Sequence, residues 1–333
     1  KLLRWIYDKP LYKRPPLGNK PSFLEEKDDI TLGTSFLFKR VLTGLKESKS
    51  YVNGAIEEYL TTFSSNIEQF KIESEPEKYD DELVEKIEAF IPYRNEFIQI
   101  CISLCQYSED VKIDKFHRFF ETLIPYFKHR GNGRFYEHDS DVFKFIVYEL
   151  FLYYVAILLK YERFAELDEF LDREYMNNED SYGSEVEGYL MFYNYLKSLE
   201  YRNERLRCQK LSLFSSMIRD RAKHSNIDFL YLMQADFVLF LRAEHLYANN
   251  WRRWWPQTLI YAEYTRKPLE IFFRAQSKKY FEKMKCVIGF DNEMELKSFI
   301  EEYYTNKRDI PRWQHCSFSP KGLANTNNLC IKK

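Results

Sequence analysis

The chain has 333 residues and a mass of 40.6 kDa, enough for one large or two ordinary domains with a sizeable buried core. Fifty Lys and Arg against 51 Asp and Glu leave a formal net charge of -1, so only a local basic patch would draw nucleic acid or an anionic membrane. Hydrophobic residues at 45% and aromatics at 18% argue against extensive disorder, and 10 Gly with 11 Pro disfavour a many-turn sandwich, barrel or doubly wound sheet.

The chain opens on Lys1 and the amphipathic run Leu2, Leu3, Arg4, Trp5, Ile6, Tyr7, which reads as a start downstream of a natural N-terminus. Lys9 to Pro21 holds four prolines and one glycine, so residues 1–30 are expected to form an extended linker from an upstream domain. From Thr31 the apolar residues recur at three and four, through Phe36, Leu37, Val41 and Leu45, then Ile56, Leu60, Phe63, Ile67 and Phe70, which predicts two amphipathic helices. A longer helical run starts at Asp80 and reaches Cys105, with Pro92 expected to kink or divide it; another follows from Asp114 to about His129.

His129 to Asp141 is polar, carries two glycines and reads as a loop or hinge. Val142 to Tyr161 is apolar nearly all round and predicts a central buried helix, not a membrane span, because Lys144 and Glu149 interrupt it. With Glu162 to Tyr175 it should form an αα-hairpin, although no repeat supports a regular solenoid. Further helices are expected over Glu185–Glu204, Leu211–His224 and Ile227–Tyr247.

Beyond Trp251, the runs Thr258–Tyr264 and Leu269–Arg274 are β-rich and flank a polar turn, which predicts a β-hairpin. Two helices follow, over Gln276–Val287 and Asn292–Tyr304. The expected fold is therefore mainly α: an irregular multi-helix array over 31–250, a small C-terminal α+β module containing the hairpin over 251–310, and an irregular tail over 311–333.

Six cysteines, at 101, 105, 208, 286, 316 and 330, show neither zinc-site nor disulfide-framework spacing, which points to a reducing cytoplasm. Cys101 and Cys105 read as core thiols. The loop cluster His129, Arg130, Arg134, Glu137, His138, Asp139 and Asp141 has no metal-ligand spacing and reads better as a solvated, helix-capping loop. Neither metal nor cofactor is expected. GxxxxGK[ST], GxSxG, HExxH and GxGxxG patterns do not occur, which disfavours the enzyme classes they mark.

Two segments carry candidate chemistry. Arg219-Asp220-Arg221-Ala222-Lys223-His224 resembles the active motif of HEPN ribonucleases, and the resemblance implies that Arg219 and His224 act across a dimer on an RNA 2′-hydroxyl and its neighbouring phosphate. The competing reading is the basic C-terminal end of a helix, complementing its dipole. Trp251, Arg252, Arg253 and Trp254, with Arg274 and Lys278 close in sequence, would suit a nucleotide, its base stacked on the rings and its phosphate held by the cations. The alternative there is a corner whose Trp rings pack inward while the Arg residues face water.

The opening RWIYDKPLYKRPPLGNKP resembles the exit from TIR or SEFIR domains in bacterial anti-phage effectors, and YERFAELDEFL, MQADFVLFLR and FRAQSKKYFEKM have the general character of their C-terminal regions. The resemblance covers about twenty residues and transfers no catalytic residue, because the NAD-cleaving glutamate of such effectors belongs to the TIR domain. It implies a sensing, oligomerising or autoinhibitory region of a cytoplasmic defence effector, with a protein partner or self-association, nucleotide or RNA as alternative ligands, and no membrane.

Overall fold

A computed structural model describes residues 32–73, 79–128, 137–177, 185–248, 252–264, 267–306, 310–314 and 316–332. The linker expected over 1–30 lies outside this set, apart from which Gly33 to Lys333 cluster as one compact unit. Among the described residues the first helices are α1 (Ser35–Lys46), α2 (Val52–Asn66), α3 (Tyr79–Ala89), α4 (Ile91–Tyr107) and α5 (Ile113–Phe127). Pro92 divides the 80–105 run as expected. It sits in the first turn of α4, where a missing N–H costs no helical bond, and Phe90 forms the joint between the two helices.

The core is organised on α6 (Asp141–Lys160), of which only Lys144 and Lys160 escape full burial. It packs against α3, α4, α5, α7 (Phe164–Leu171) and, most extensively, α10 (Phe229–Leu246). A helix surrounded by five others must be apolar on every face, which is the pattern its sequence carries. It is long and apolar enough to cross a membrane, but 94% of that apolar stretch is buried inside the protein, as befits a core helix. The high aromatic content is spent here: Phe97, Phe116, Phe120, Phe151, Tyr154, Phe170 and Phe192 form a continuous cluster with ring centroids 4.6–6.5 Å apart.

The stretch 185–204 differs from the expected helix. Glu185–Glu187 is strand β2, antiparallel to β1 (Tyr175–Asn177), and a 3-10 turn at Tyr189–Phe192 precedes α8 (Lys197–Arg205). Tyr189, Leu190, Met191 and Phe192 are all buried, so four consecutive side chains face the interior, which no amphipathic α-helix allows. Then come α9 (Leu213–Ala222), capped by Ser212 Oγ accepting from Ser215 N–H at 3.2 Å, and α10, capped by Asp228.

The fold is mainly α with a small C-terminal strand pair, but that pair is not the hairpin expected from Thr258–Tyr264 and Leu269–Arg274. Gln257–Tyr264 is a 3-10 helix and Glu270–Arg274 is the short α11. The β-favouring Thr258, Leu259 and Ile260 are instead buried in a turn laid on α10, and short apolar runs look the same for either structure. The antiparallel pair is β3 (Arg312–Trp313) with β4 (Cys316–Ser317), beyond α12 (Lys278–Ile288) and α13 (Glu293–Asn306). The stretch 311–332 also holds α14 (Pro320–Leu323). It packs inward through Trp313, Phe318, Leu323 and Leu329, and Lys332 exchanges main-chain hydrogen bonds with Gln276 and Lys278 at 2.8 Å.

Gly289 ends α12 with φ +77°, where a Cβ would lie 2.9 Å from Leu246 Cδ1. Gly289→Ala is expected to lower stability by about 1–2 kcal/mol, read as a fall in the thermal midpoint, because an L side chain resists the left-handed region. An unchanged midpoint would show that this helix end relaxes freely.

Candidate functional site

A groove of about 560 Å³ opens between the first turn of α10 and α11, with Leu230, Tyr231, Lys267, Leu269 and Phe273 among its lining. The local sequence explains why apolar groups face water there. Asp228 accepts the Leu230 N–H at 2.8 Å and starts α10 one turn before its buried stretch, leaving Leu230 53% exposed. Across the groove, Leu269 is buried and precedes α11, whose Ile271 N–H donates to the buried Gln234 Oε1 at 2.9 Å. That bond fixes α11 on α10 and turns Phe273 outward, 56% exposed.

Charge surrounds this apolar floor. Lys160 Nζ lies 4.8 Å from the Tyr231 ring centroid, while Arg274 bridges Glu162 at 2.7 Å and Glu270 at 2.5 Å. Burial, together with the neighbouring Glu270 carboxylate, lifts the Tyr231 phenol above its ordinary range. The groove therefore offers apolar contact with a charged margin.

The two segments singled out in the sequence have different surroundings. Arg219 lies half-exposed over Tyr261, 4.2 Å from the ring centroid, with Asp220 3.9 Å away. His224 is exposed just beyond the end of α9, and its main-chain oxygen accepts from Arg94 at 3.3 Å. No hydrogen bond or ring contact joins Arg219 and His224 among the described residues. Arg221, between them, is buried: its Nε and Nη2 donate to Glu149 at 2.9 and 2.6 Å, and its Nη1 to the Ile87 carbonyl at 2.8 Å.

Trp251 lies outside the described residues. Arg252 Nε is 3.0 Å from Glu187, and Arg253 is 3.3 Å from Glu244. Trp254 is buried, with its indole N–H donating to Asp236 at 2.7 Å. Arg274 belongs to the groove margin, and Lys278 is exposed on α12. The three arginines are thus paired with separate carboxylates, and of these cations only Arg274 lies beside the groove. His138 stacks on Tyr79 at 4.1 Å, and the described residues contain no group of three His, Cys, Asp or Glu able to hold a metal.

Three buried polar centres escaped the sequence reading as such. In the first, Glu149 is held between Arg94 and Arg221. In the second, Asp236 accepts from Trp254, from the Thr258 N–H and hydroxyl at 2.7 and 2.8 Å, and from the Tyr148 hydroxyl at 3.2 Å. In the third, Arg242 donates to the Cys286 and Val287 carbonyls at 2.8 and 3.0 Å, closing the end of α12, and pairs with Asp168 and Asp172. A carboxylate inside an apolar run was the signal for the first, since a buried charge needs a partner. Nothing local named that partner. Family models, curated proteins and solved structures give no match to this chain.

Proposed function

We propose that this chain is a non-catalytic interaction region, the sensing or oligomerising part of a bacterial defence effector, and that it engages another polypeptide through the groove between α10 and α11. The observation that carries the reading is the exposure of Leu230 and Phe273 side by side in one apolar depression, since contiguous apolar surface of this kind marks interaction sites. The defence context rests on the resemblance of the first twenty residues to the exit from TIR or SEFIR domains.

The test combines two measurements on the 333-residue chain. An apolar fluorescent dye should bind the wild type and lose most of its signal in Leu230→Glu and Phe273→Glu, both exposed changes that leave the helical circular dichroism intact. Labelled total RNA should remain uncut by the same preparation. Dye binding indifferent to both substitutions would remove the groove as an interaction site. RNA cleavage abolished by His224→Ala would overturn the non-catalytic reading and transfer the function to Arg219 and His224.

A further inference from the structure

Resting on that reading, we propose that residues 319–332 are a latch for the groove: docked, they hold α11 and its Phe273 in place; released, they let α11 melt and the groove is lost while the core around α6 stays folded. α11 has five residues, too few to persist as a helix unless its neighbours hold it. On one side α10 supports its middle, through the Ile271 N–H on Gln234 and the Phe272 ring set edge-on to Phe237 at 5.5 Å. The strap 319–332 holds both of its ends. Leu269, just before α11, donates its N–H to the Leu323 carbonyl at 3.2 Å, and Ala275, just after it, accepts from the Cys330 N–H at 2.9 Å. Between them Asn325 Nδ2 reaches the Phe272 carbonyl at 3.5 Å, and Lys332 carries the pairing on to Gln276 and Lys278.

The strap's own hold is weaker than that of the core. Its apolar anchors are Pro320, Leu323, Ala324 and Leu329, and Ile331 is 60% exposed. Asn325 and Cys330 stand at φ 50° and 58°, in the left-handed region that L side chains resist. A segment so anchored opens at a lower free energy than α6, which is buried on every face. Opening it removes the main-chain partners at both ends of α11 together, and with them the wall that carries Phe273. Linkage then requires the reverse effect: an apolar ligand seated between Leu230 and Phe273 favours the docked strap by the same factor by which the strap favours the ligand.

The test uses the full 333-residue chain, hydrogen exchange read by mass spectrometry, and the apolar dye. Leu329→Asp removes a buried anchor; Lys332→Pro is the milder variant, taking away only the exposed N–H that donates to Gln276 at 2.8 Å. Exchange over 269–276 should rise about tenfold in Leu329→Asp and less in Lys332→Pro, with 142–158 unchanged, and dye affinity should fall in the same order. Saturating dye should in turn slow exchange over 321–332 in the wild type.

Exchange over 269–276 that ignores both variants overturns the proposal, since α11 would then stand on α10 alone. So does acceleration of 269–276 and 142–158 together in Lys332→Pro, which would make strap and core one cooperative unit. If α11 loosens while dye affinity holds, the outcome turns on the groove variants. Dye that still requires Leu230 and Phe273 removes the latch and leaves the interaction reading standing; dye indifferent to them removes both.

Discussion

Glu149→Ala is expected to destabilise the chain by about 3–5 kcal/mol, seen as a lower urea midpoint with the helical signal as probe. The carboxylate sits in the middle of α6, fully buried, with Arg94 Nη1 at 3.0 Å and Arg221 Nη2 at 2.6 Å. Removing it leaves Arg94 buried without a carboxylate and Arg221 with only the part-exposed Glu88 at 3.4 Å, while Arg221 remains tied to Ile87 and Arg94 to Asn95 and the His224 carbonyl, so neither can leave without disturbing α3, α4 or α9. The loss comes from uncompensated charge, not from a large intrinsic gain in the ion triad. Replacing all three together, by Glu149→Leu, Arg94→Met and Arg221→Met, should therefore recover most of the loss. A single Glu149→Ala variant within about 1 kcal/mol of the wild type would show that water reaches the triad.

The triad also has a defined pH dependence. Burial pushes the Glu149 carboxyl up, but Arg221 and Arg94 outweigh it and hold the group below its ordinary value of 4.5. A carboxylate with a depressed folded pKa contributes stability that is complete above 4.5 and is lost as pH falls through the lower, folded value. Its contribution is thus intact at neutral pH.

Trp254→Ala should cost about 3–5 kcal/mol by chemical denaturation, because the indole packs against Tyr148, Phe151, Tyr189 and Tyr193 at centroid distances of 5.6–6.1 Å. Trp254→Phe keeps most of that packing but removes the N–H from Asp236, and should cost about 1–3 kcal/mol. Equal losses in the two variants would assign the whole effect to the hydrogen bond. Asp236 behaves oppositely to Glu149. Burial, opposed by the donors of Thr258, Trp254 and Tyr148, raises its carboxyl from 3.8 to about 6.

The folded protein therefore retains this proton over a window in which the unfolded chain has lost it. The Asp236 contribution is full below 3.8 and is lost as pH rises through about 6. Asp236→Asn should make the slope of stability against pH more positive across that window, by at most about 1.4 kcal/mol per pH unit. An unaltered slope would mean that Asp236 titrates alike in both states.

Much of the helical framework was legible because amphipathic spacing is a local property. The repeat from Leu37 to Phe70, the division at Pro92 and the all-round apolarity of 142–161 each name a helix and the face it buries, whereas Phe36, counted in the same repeat, is 75% exposed. The same reasoning failed at Thr258–Tyr264. Its β-branched and aromatic residues favour a strand, but a strand needs a neighbour; α10 instead offers an apolar face and the Asp236 carboxylate, which takes the Thr258 N–H and hydroxyl.

The candidate site was still less visible. Arg219 and Arg221 are alike in sequence and two residues apart, yet a helix turns successive side chains in different directions, so one reaches Tyr261 at the surface and the other Glu149 in the interior. Leu230 and Phe273 carried no functional mark, because an apolar residue at helical spacing reads as core until the neighbouring elements are placed. Composition and periodicity settled that this chain is helical and which of its helices lies at the centre, since burial of one face or of all faces is written into each segment. Which carboxylate meets which arginine depends on residues far apart in sequence, Arg94 and Glu149 by 55 positions and Arg221 and Glu149 by 72, and that pairing, like the choice of which leucine faces water, exists only once the helices have packed.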